Sequence, residues 1–450
     1  MKNINAEVKE KGLSAWQLTM LALGTVIGGS FFLGSAVAIE VAGPSIIIAY
    51  IFGGVLVYFI LFALSEMTVS NPTPGSFRTY AKEAYGPGTG FVVGWVYWTG
   101  MVLGMSSEAT AVSILIRQWF PKMPIALLGS VIIILVTILN LLGADKLSKL
   151  ESGLAIIKIL AIVAFIIIAI LLVIGFIPGT PAVGRGELAR EPIFPGGIKG
   201  VAGSMLLVMF SYAGFEIIGL ASSEADNPKE TVPKAIKYTV FSLLGFYVIS
   251  MIVLLPLVPT SILSEDTSPM VDALNRQGMG WAGTAINFVL ITAILSTMLA
   301  AMFGLGRMMR SLADAKQAPD WLKDEKDVPY RGIIFSGVAM LLGLGFGLFF
   351  PRVYLFLVSA GGFSVLFTYT VIVATHIRFR KKNGCPEGNC KMRGYPFTSL
   401  FVLISLIIVM LSMPLIPGQV YGFVAGLVMT VLYIMIYLVI KYRSRVKKKD

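Results

Sequence analysis

Charged residues are scarce in this chain. Only 13% of its 450 residues are Asp, Glu, Lys or Arg, whereas 56% are hydrophobic. About a quarter of the residues of a typical soluble domain are charged. The shortage of charge therefore excludes a soluble globular protein and indicates an integral membrane protein.

Histidine and cysteine are scarcer still. His376 is the only histidine, and Cys385 and Cys390 are the only cysteines. We interpret His376 as a loop residue at the end of span ten, without a facing constellation of cysteine, histidine or carboxylate. This argues against an enzyme, since an embedded active site needs an acid–base or metal cluster. No metal site and no cofactor are predicted. The cysteines are expected to be reduced thiols in a cytoplasmic loop, with a metal or redox role as the alternative.

Long apolar runs fill most of the chain. Because a bilayer core of roughly 30 Å requires about 20 apolar residues in a helix, each run of that length predicts one transmembrane span. Twelve such windows are present, near 15–39, 43–64, 88–116, 124–143, 152–177, 198–221, 236–259, 281–306, 333–350, 353–377, 397–415 and 419–441. The predicted fold class is an all-α polytopic membrane protein.

The distribution of positive charge predicts the orientation. The loops that follow even-numbered spans, counted together with the span edges beside them, are rich in lysine and arginine. With the N-terminal segment 1–14 and the C-terminal residues 441–450, which include the predicted tail 442–450, they hold 28 of the 36. Positively charged loops remain in the cytoplasm, so both termini are predicted to be cytoplasmic. The same bias accounts for the net charge of +12, which leaves no reason to expect a nucleic-acid partner. The basic tail could instead contact anionic lipid.

Two spans carry glycine and polar residues where a membrane helix is normally regular. The first contains GTVIGGS at residues 24–30, and the sixth contains FSYAGFE at residues 210–216. Many transporters consist of two inverted repeats whose broken helices bind substrate near the midplane. We therefore assign residues 15–177 and 198–377 to two five-helix repeats and residues 397–441 to two extra spans. Close helix packing at the glycines is the alternative.

The two interrupted helices suit a zwitterionic ligand. Unwound backbone at membrane depth needs protein, water or ligand to complete its hydrogen bonds. Half-helix N-termini offer N–H donors to a carboxylate, and freed carbonyls accept from an ammonium group.

Three motifs, which follow one another along the chain in the family's order, resemble those of the amino acid-polyamine-organocation superfamily of permeases. Span one resembles G-x-x-I-G-x-G-I-F, and FSYAGFEIIGLASSEADNPKETVPKAI is similar to F-[ST]-[FY]-x-G-x-E followed by E-x-x-N-P-x-x-x-x-P. The segment EMTVSNPTPGSFRTYAKEAYGPGTGFVVGWVYW is similar to a signature of bacterial amino acid permeases. The resemblance covers essentially the whole chain. It implies a leucine-transporter-like five-plus-five inverted-repeat fold with broken helices 1 and 6, in a bacterial plasma membrane.

The resemblance also implies a substrate site. The N–H groups of Gly29 and Ser30 would hold the substrate carboxylate, the carbonyls of Val26, Phe210 and Ala213 its ammonium group, and the Phe210 ring would be a lid. The family has glycine where Ser30 stands, so the carboxylate cradle differs there. The full predicted substrate-binding set is Val26, Ile27, Gly28, Gly29, Ser30, Glu108, Phe210, Ser211, Ala213 and Gly214.

Ionisable residues inside spans are functional candidates, because burying them is costly. Lys158 in span five would either snorkel to the interface or, as the resemblance implies, replace the cation of sodium-coupled relatives and couple transport to protons; no sodium site is then expected. Glu108 would face the substrate side chain or bond to span six or eight. Glu216, Ser296 and Thr297 are predicted supporting residues. The resembled group has an Asn-Ser pair near Leu299 and Ala300, which leaves the substrate subgroup open.

The sequence thus predicts a proton-coupled amino acid symporter that works by alternating access. An exchanger or uniporter on the same fold is the alternative. A sensor is disfavoured because the longest loops leave no room for a soluble output domain. The expected partners are an amino acid and the lipid bilayer, for a monomer or a complex with a small accessory subunit.

Overall fold

A computed structural model describes residues 12–71, 73, 76–324, 328–385 and 391–446. Within these ranges the regular structure is helical, and the single β-bridge joins Leu13 to Ala225. Cys390, most of the N-terminal segment 1–14 and residues 447–450 of the predicted tail lie outside the described residues.

The helices are α1 Ala15–Val26, α2 Gly29–Phe32, α3 Gly34–Ala42, α4 Ile46–Ser70, α5 Ser76–Tyr85, α6 Pro87–Ile116, α7 Ile125–Asn140, α8 Ala144–Ile174, α9 Gly197–Ser211, α10 Ile217–Leu220, α11 Pro228–Leu254, α12 Pro269–Arg276, α13 Gly280–Asp314, α14 Tyr330–Gly347, α15 Val353–Asn383, α16 Phe397–Ser412 and α17 Gln419–Val446.

Nine helical stretches in the described residues are long and apolar enough to cross a membrane. Three shorter apolar helices, α1, α7 and α9, accompany them. The result is a polytopic all-helical protein, as predicted. Large aliphatic side chains on α8, α16 and α17 are exposed, and such surfaces are suited to lipid rather than water.

Several helices extend beyond the apolar windows. α4 continues to Ser70 rather than ending near 64, α11 begins at Pro228 rather than near 236, and α13 continues to Asp314 rather than ending near 306. α8 begins at Ala144 rather than near 152. Helical hydrogen bonding continues past the hydrocarbon edge into polar sequence, which hydropathy does not register. The predicted ends were therefore too short on the side rich in Lys and Arg.

The packing places the interrupted helices at the centre. α1 packs against α8, α11 and α13, whereas α2 packs against α6, α9 and α13. Gly43, with φ +60°, turns the chain from α3 towards α4. One large buried apolar cluster surrounds this centre and includes Ile27, Phe31 and Phe210.

Candidate functional site

The first interruption lies between α1 and α2. Ile27 (φ −74°, ψ 103°) and Gly28 (φ −142°, ψ −164°) are extended between the two helices. Backbone groups on either side consequently lose their helical partners and require others.

Lys158 of α8 supplies partners for two of the carbonyl groups. Its Nζ donates to the carbonyl oxygens of Gly24 at 2.5 Å and Ile27 at 3.1 Å, and to Thr297 Oγ1 at 3.0 Å. Its side chain is 0% exposed. The alternative that Lys158 snorkels to the interface is therefore wrong.

Thr297 of α13 contacts both Lys158 and the Ile27 carbonyl. The Thr297 hydroxyl donates to the Ile27 carbonyl oxygen, at an Oγ1 to oxygen distance of 2.9 Å. Ser296, the neighbouring predicted support, is also buried, but the hydroxyl that meets Lys158 is that of Thr297. Three helices, α1, α8 and α13, thus meet at one buried ammonium group.

Glu108 of α6 accepts a hydrogen bond at the N-terminus of α2. The Gly29 N–H donates to Glu108 Oε2 at 2.7 Å, and Glu108 is 2% exposed. The predicted partners of a structural glutamate, span six or span eight, were wrong, because the bonded group belongs to the span-one segment. The Gly29 N–H was predicted to bind the substrate carboxylate. In this structure it donates instead to the side-chain carboxylate of Glu108.

A second interruption separates α9 from α10. The intervening residues 212–216 are turns, and Gly214 adopts φ +105°, which favours glycine. Ser30 Oγ donates to the Phe210 carbonyl at 3.4 Å, so the residue that departs from the family pattern links the two interruptions. The Phe210 carbonyl also accepts from the Ala213 N–H at 3.0 Å.

The remaining predicted residues lie beside these contacts. An ideal Cβ on Gly104 would lie 2.9 Å from Phe210 Cζ, so the Phe210 ring packs closely on α6. The Ser211 carbonyl accepts from the Tyr247 hydroxyl at 2.9 Å. Val26 and Ile27 are buried, and an ideal Cβ on Gly28 would lie 3.2 Å from Thr297 Cγ2.

Glu216 organises the second interruption. Its Oε1 accepts from the Tyr97 hydroxyl at 2.9 Å, and its Oε2 accepts from the Tyr369 hydroxyl at 2.9 Å and the Gly214 N–H at 3.0 Å. All three donors fix one buried carboxylate. The predicted supporting role is consistent with these contacts, although sequence reasoning missed both tyrosines because nothing in their local sequence marks them.

We expect the Tyr97→Phe and Tyr369→Phe variants to be less stable than the parent protein. Each removes a hydrogen bond to a buried carboxylate, at a cost of about 1.5–3 kcal/mol. Thermal unfolding of the purified protein would measure the loss, with Tyr421→Phe as the control because Tyr421 is 57% exposed. Unchanged melting in both variants would contradict the role assigned to Glu216.

A cavity of about 530 Å³ lies beside the end of α6 and the beginnings of α7 and α15. Thr110, Gln118 and Tyr354 line it, and the Tyr354 hydroxyl donates to the Gly29 carbonyl at 3.4 Å. An ion pair between Arg352 Nε and Glu265 Oε1, at 3.1 Å, lies beside the cavity. Burial raises the pKa of Glu265, although Arg352 acts in the opposite direction. Tyr354 therefore connects the lining of this cavity to the first interruption.

A second buried polar cluster corrects the interpretation of His376. This residue is 0% exposed within α15, and its Nε2 lies 3.0 Å from Glu66 Oε2. Arg380 also pairs with Glu66, and Ser399 Oγ lies 3.3 Å from His376 Nδ1. Describing His376 as a loop residue without a facing carboxylate was wrong. Glu66 was missed because the span-two window ended at 64, although its position in the EMTVSNP motif was a usable signal.

Two interrupted helices face one another inside an all-helical membrane bundle. This arrangement is typical of polytopic membrane transporters. The amino acid permease family model matches residues 17–450, and the chain belongs to this family, within the amino acid-polyamine-organocation superfamily. It is 33% identical to the gamma-aminobutyric acid permease of Bacillus subtilis (strain 168), over 97% of this chain and 94% of that protein. It is 32% identical to the amino-acid permease RocC of the same organism, over 100% and 97%. It is also 32% identical to the aromatic amino acid transport protein AroP of Salmonella typhimurium (strain SL1344), over 92% of each chain.

Proposed function

We propose that this permease is a proton-coupled amino acid symporter in a bacterial plasma membrane, working by alternating access. The observation that carries the proposal is the buried Lys158 ammonium group, which bonds to the carbonyls of Gly24 and Ile27 at the first interruption. These bonds are charge-assisted while the Lys158 side chain is an ammonium group, and a proton taken from it leaves a neutral amine. Loss of that proton removes the charged bonds that join α8 to α1, and the interrupted helix becomes free to move.

Twelve spans arranged as two inverted repeats fit this mechanism. Gly43 divides the 42-residue stretch Gly29–Ser70 into the end of one span and the whole of the next, and α7 and α9 supply the two spans that are too short for the length criterion. Helices in corresponding positions pack together, since α3 contacts α9, α4 contacts α11, α6 contacts α13 and α7 contacts α14. Paired elements of this kind favour rocking of one repeat against the other.

Substrate binding would begin with displacement of Glu108 from the Gly29 N–H. The carboxylate of an amino acid would take the place of Glu108 Oε2 at this donor. The substrate ammonium group would bind the Phe210 carbonyl, which accepts from Ser30 Oγ and the Ala213 N–H in this structure. Exchange of one carboxylate for another at a helix N-terminus conserves the favourable dipole interaction. The relatives are named for gamma-aminobutyric acid and for aromatic amino acids, and these two substrate classes share the carboxylate and ammonium groups that this site would bind.

A binding screen on the purified protein tests the substrate class. We expect at least one of the twenty amino acids or gamma-aminobutyric acid to raise the melting temperature, because a ligand that binds the folded state stabilises it. Accumulation of that compound in substrate-free proteoliposomes under an imposed inward proton gradient then separates symport from exchange or uniport. The absence of any response to all of these compounds would overturn the proposed substrate class.

The proposed orientation predicts labelling by a thiol reagent that cannot cross the membrane. A Lys122→Cys variant, at an exposed position between α6 and α7, should react in intact cells because that loop is external. The native exposed Cys385 serves as the matched control and should react only after permeabilisation. The reverse pattern would place both termini outside the cell and contradict the proposed topology.

A further inference from the structure

A second cavity, of about 490 Å³, lies between α4, α11 and the segment 391–393 that precedes α16. It is separate from the interrupted helices, and the transport mechanism does not use it. Four cationic side chains line it, from Lys234, Lys237, Lys391 and Arg393, against one carboxylate, from Glu230. The lining therefore favours an anionic ligand.

None of these four cations forms an ion pair within the described parts of the chain. All four side chains are exposed at the cavity. Several like charges held together in one lining repel each other and gain from a shared counterion.

The opposite wall of the cavity is aromatic. Tyr58, Phe59 and Phe62 of α4 line it, and the Tyr58 ring packs on Phe59 and Phe62 at centroid distances of 5.4 Å and 4.8 Å. Tyr58 lies about three helical turns inside the end of α4 at Ser70. The wall thus continues from the charged opening towards the centre of the membrane.

The segment that supplies two of the cations is fixed in place. The Met392 N–H donates to Glu66 Oε2 at 2.9 Å, and Arg380 Nη2 donates to the Met392 carbonyl at 3.3 Å. Met392 is 2% exposed. Because the buried cluster holds Met392, its neighbours Lys391 and Arg393 stand at the cavity at little further entropic cost.

We propose that this cavity binds an anionic phospholipid of the cytoplasmic leaflet, with its phosphate among the lysines and an acyl chain on the aromatic wall. Basic pockets between membrane helices are suited to such headgroups. A free inorganic anion shares the phosphate chemistry but would make no use of Tyr58, Phe59 and Phe62. The exposed side chains of Tyr238 and Phe241, on α11 beside Lys237, place the opening at a lipid-facing surface.

The test uses the full-length protein in neutral detergent and compares phosphatidylglycerol, phosphatidylcholine with the same acyl chains, and sodium phosphate. Native mass spectrometry should show retention of phosphatidylglycerol in preference to phosphatidylcholine, and phosphatidylglycerol should raise the melting temperature. The double variant Lys234→Gln/Lys237→Gln should bind phosphatidylglycerol roughly 30-fold more weakly, given the contribution of each lysine near an anionic membrane surface.

Two controls make the outcome decisive. The double variant Lys381→Gln/Lys382→Gln removes the same charge from exposed positions outside the cavity and should retain parental affinity, whereas Lys234→Arg/Lys237→Arg should restore most of the binding. Equal losses in both glutamine variants would indicate unspecific attraction and overturn the site. Stabilisation by sodium phosphate equal to that by phosphatidylglycerol would overturn the lipid assignment, as would equal retention of the two lipids.

Discussion

Replacement of Lys158 by alanine is expected to abolish accumulation of substrate driven by an inward proton gradient. The ammonium group bonds to Gly24, Ile27 and Thr297 while fully buried, and each hydrogen bond to a charged group contributes about 1.5–3 kcal/mol. Without it, the carbonyls at the first interruption lose their shared donor, and no group at that position carries the proton.

Proteoliposomes with an imposed pH gradient would measure the loss for Lys158→Ala and for the more conservative Lys158→Gln. Counterflow of substrate without a gradient should persist in at least one variant, which separates loss of coupling from loss of folding. Gradient-driven accumulation at the parental level in either folded variant would show that Lys158 is not the coupling group.

The Gly29→Ala variant is expected to lose transport of every substrate. An ideal Cβ at this position would lie 2.7 Å from Glu108 Oε2 and 3.3 Å from Ala111 Cβ. The added methyl group therefore pushes Glu108 away and enters the space where a substrate carboxylate would bind. Since a displacement of about 1 Å at a binding site can cost on the order of 100-fold in rate, we expect a loss of at least that size.

Gly245→Ala is the matched control, because it also changes a glycine within a predicted span but would meet no atom within 4 Å. Uptake of several amino acids should be measured for both variants at equal expression. Selective loss for one class of side chain in Gly29→Ala would contradict a cradle that holds the part common to all amino acids.

Composition and motif order were enough to predict the polytopic helical fold and the family. They also drew attention to residues 24–30 and 210–216, since glycine and polar residues at membrane depth favour irregular backbone, and helices of the structure end within both stretches. Lys158 could be selected from sequence because an ionisable residue in an apolar run is conspicuous. Its acceptors, Gly24 and Ile27, are backbone groups, which carry no sequence signal.

The contacts that sequence did not reveal join residues far apart in the chain. Glu108 bonds to Gly29 across 79 positions, and Glu216 meets Tyr97 across 119. Tertiary packing, rather than local pattern, determines such pairs. Glu66 was missed for a different reason, because hydropathy ended the second span too early and left a buried carboxylate in an apparent loop.

Proton movement during substrate uptake tests the central claim most directly. Proteoliposomes loaded with a pH-sensitive dye should acidify internally when a transported amino acid is added outside, in proportion to its uptake, and Lys158→Gln should eliminate this signal. Uptake of labelled amino acid by the parental protein without internal acidification would contradict proton symport and favour an exchanger or uniporter.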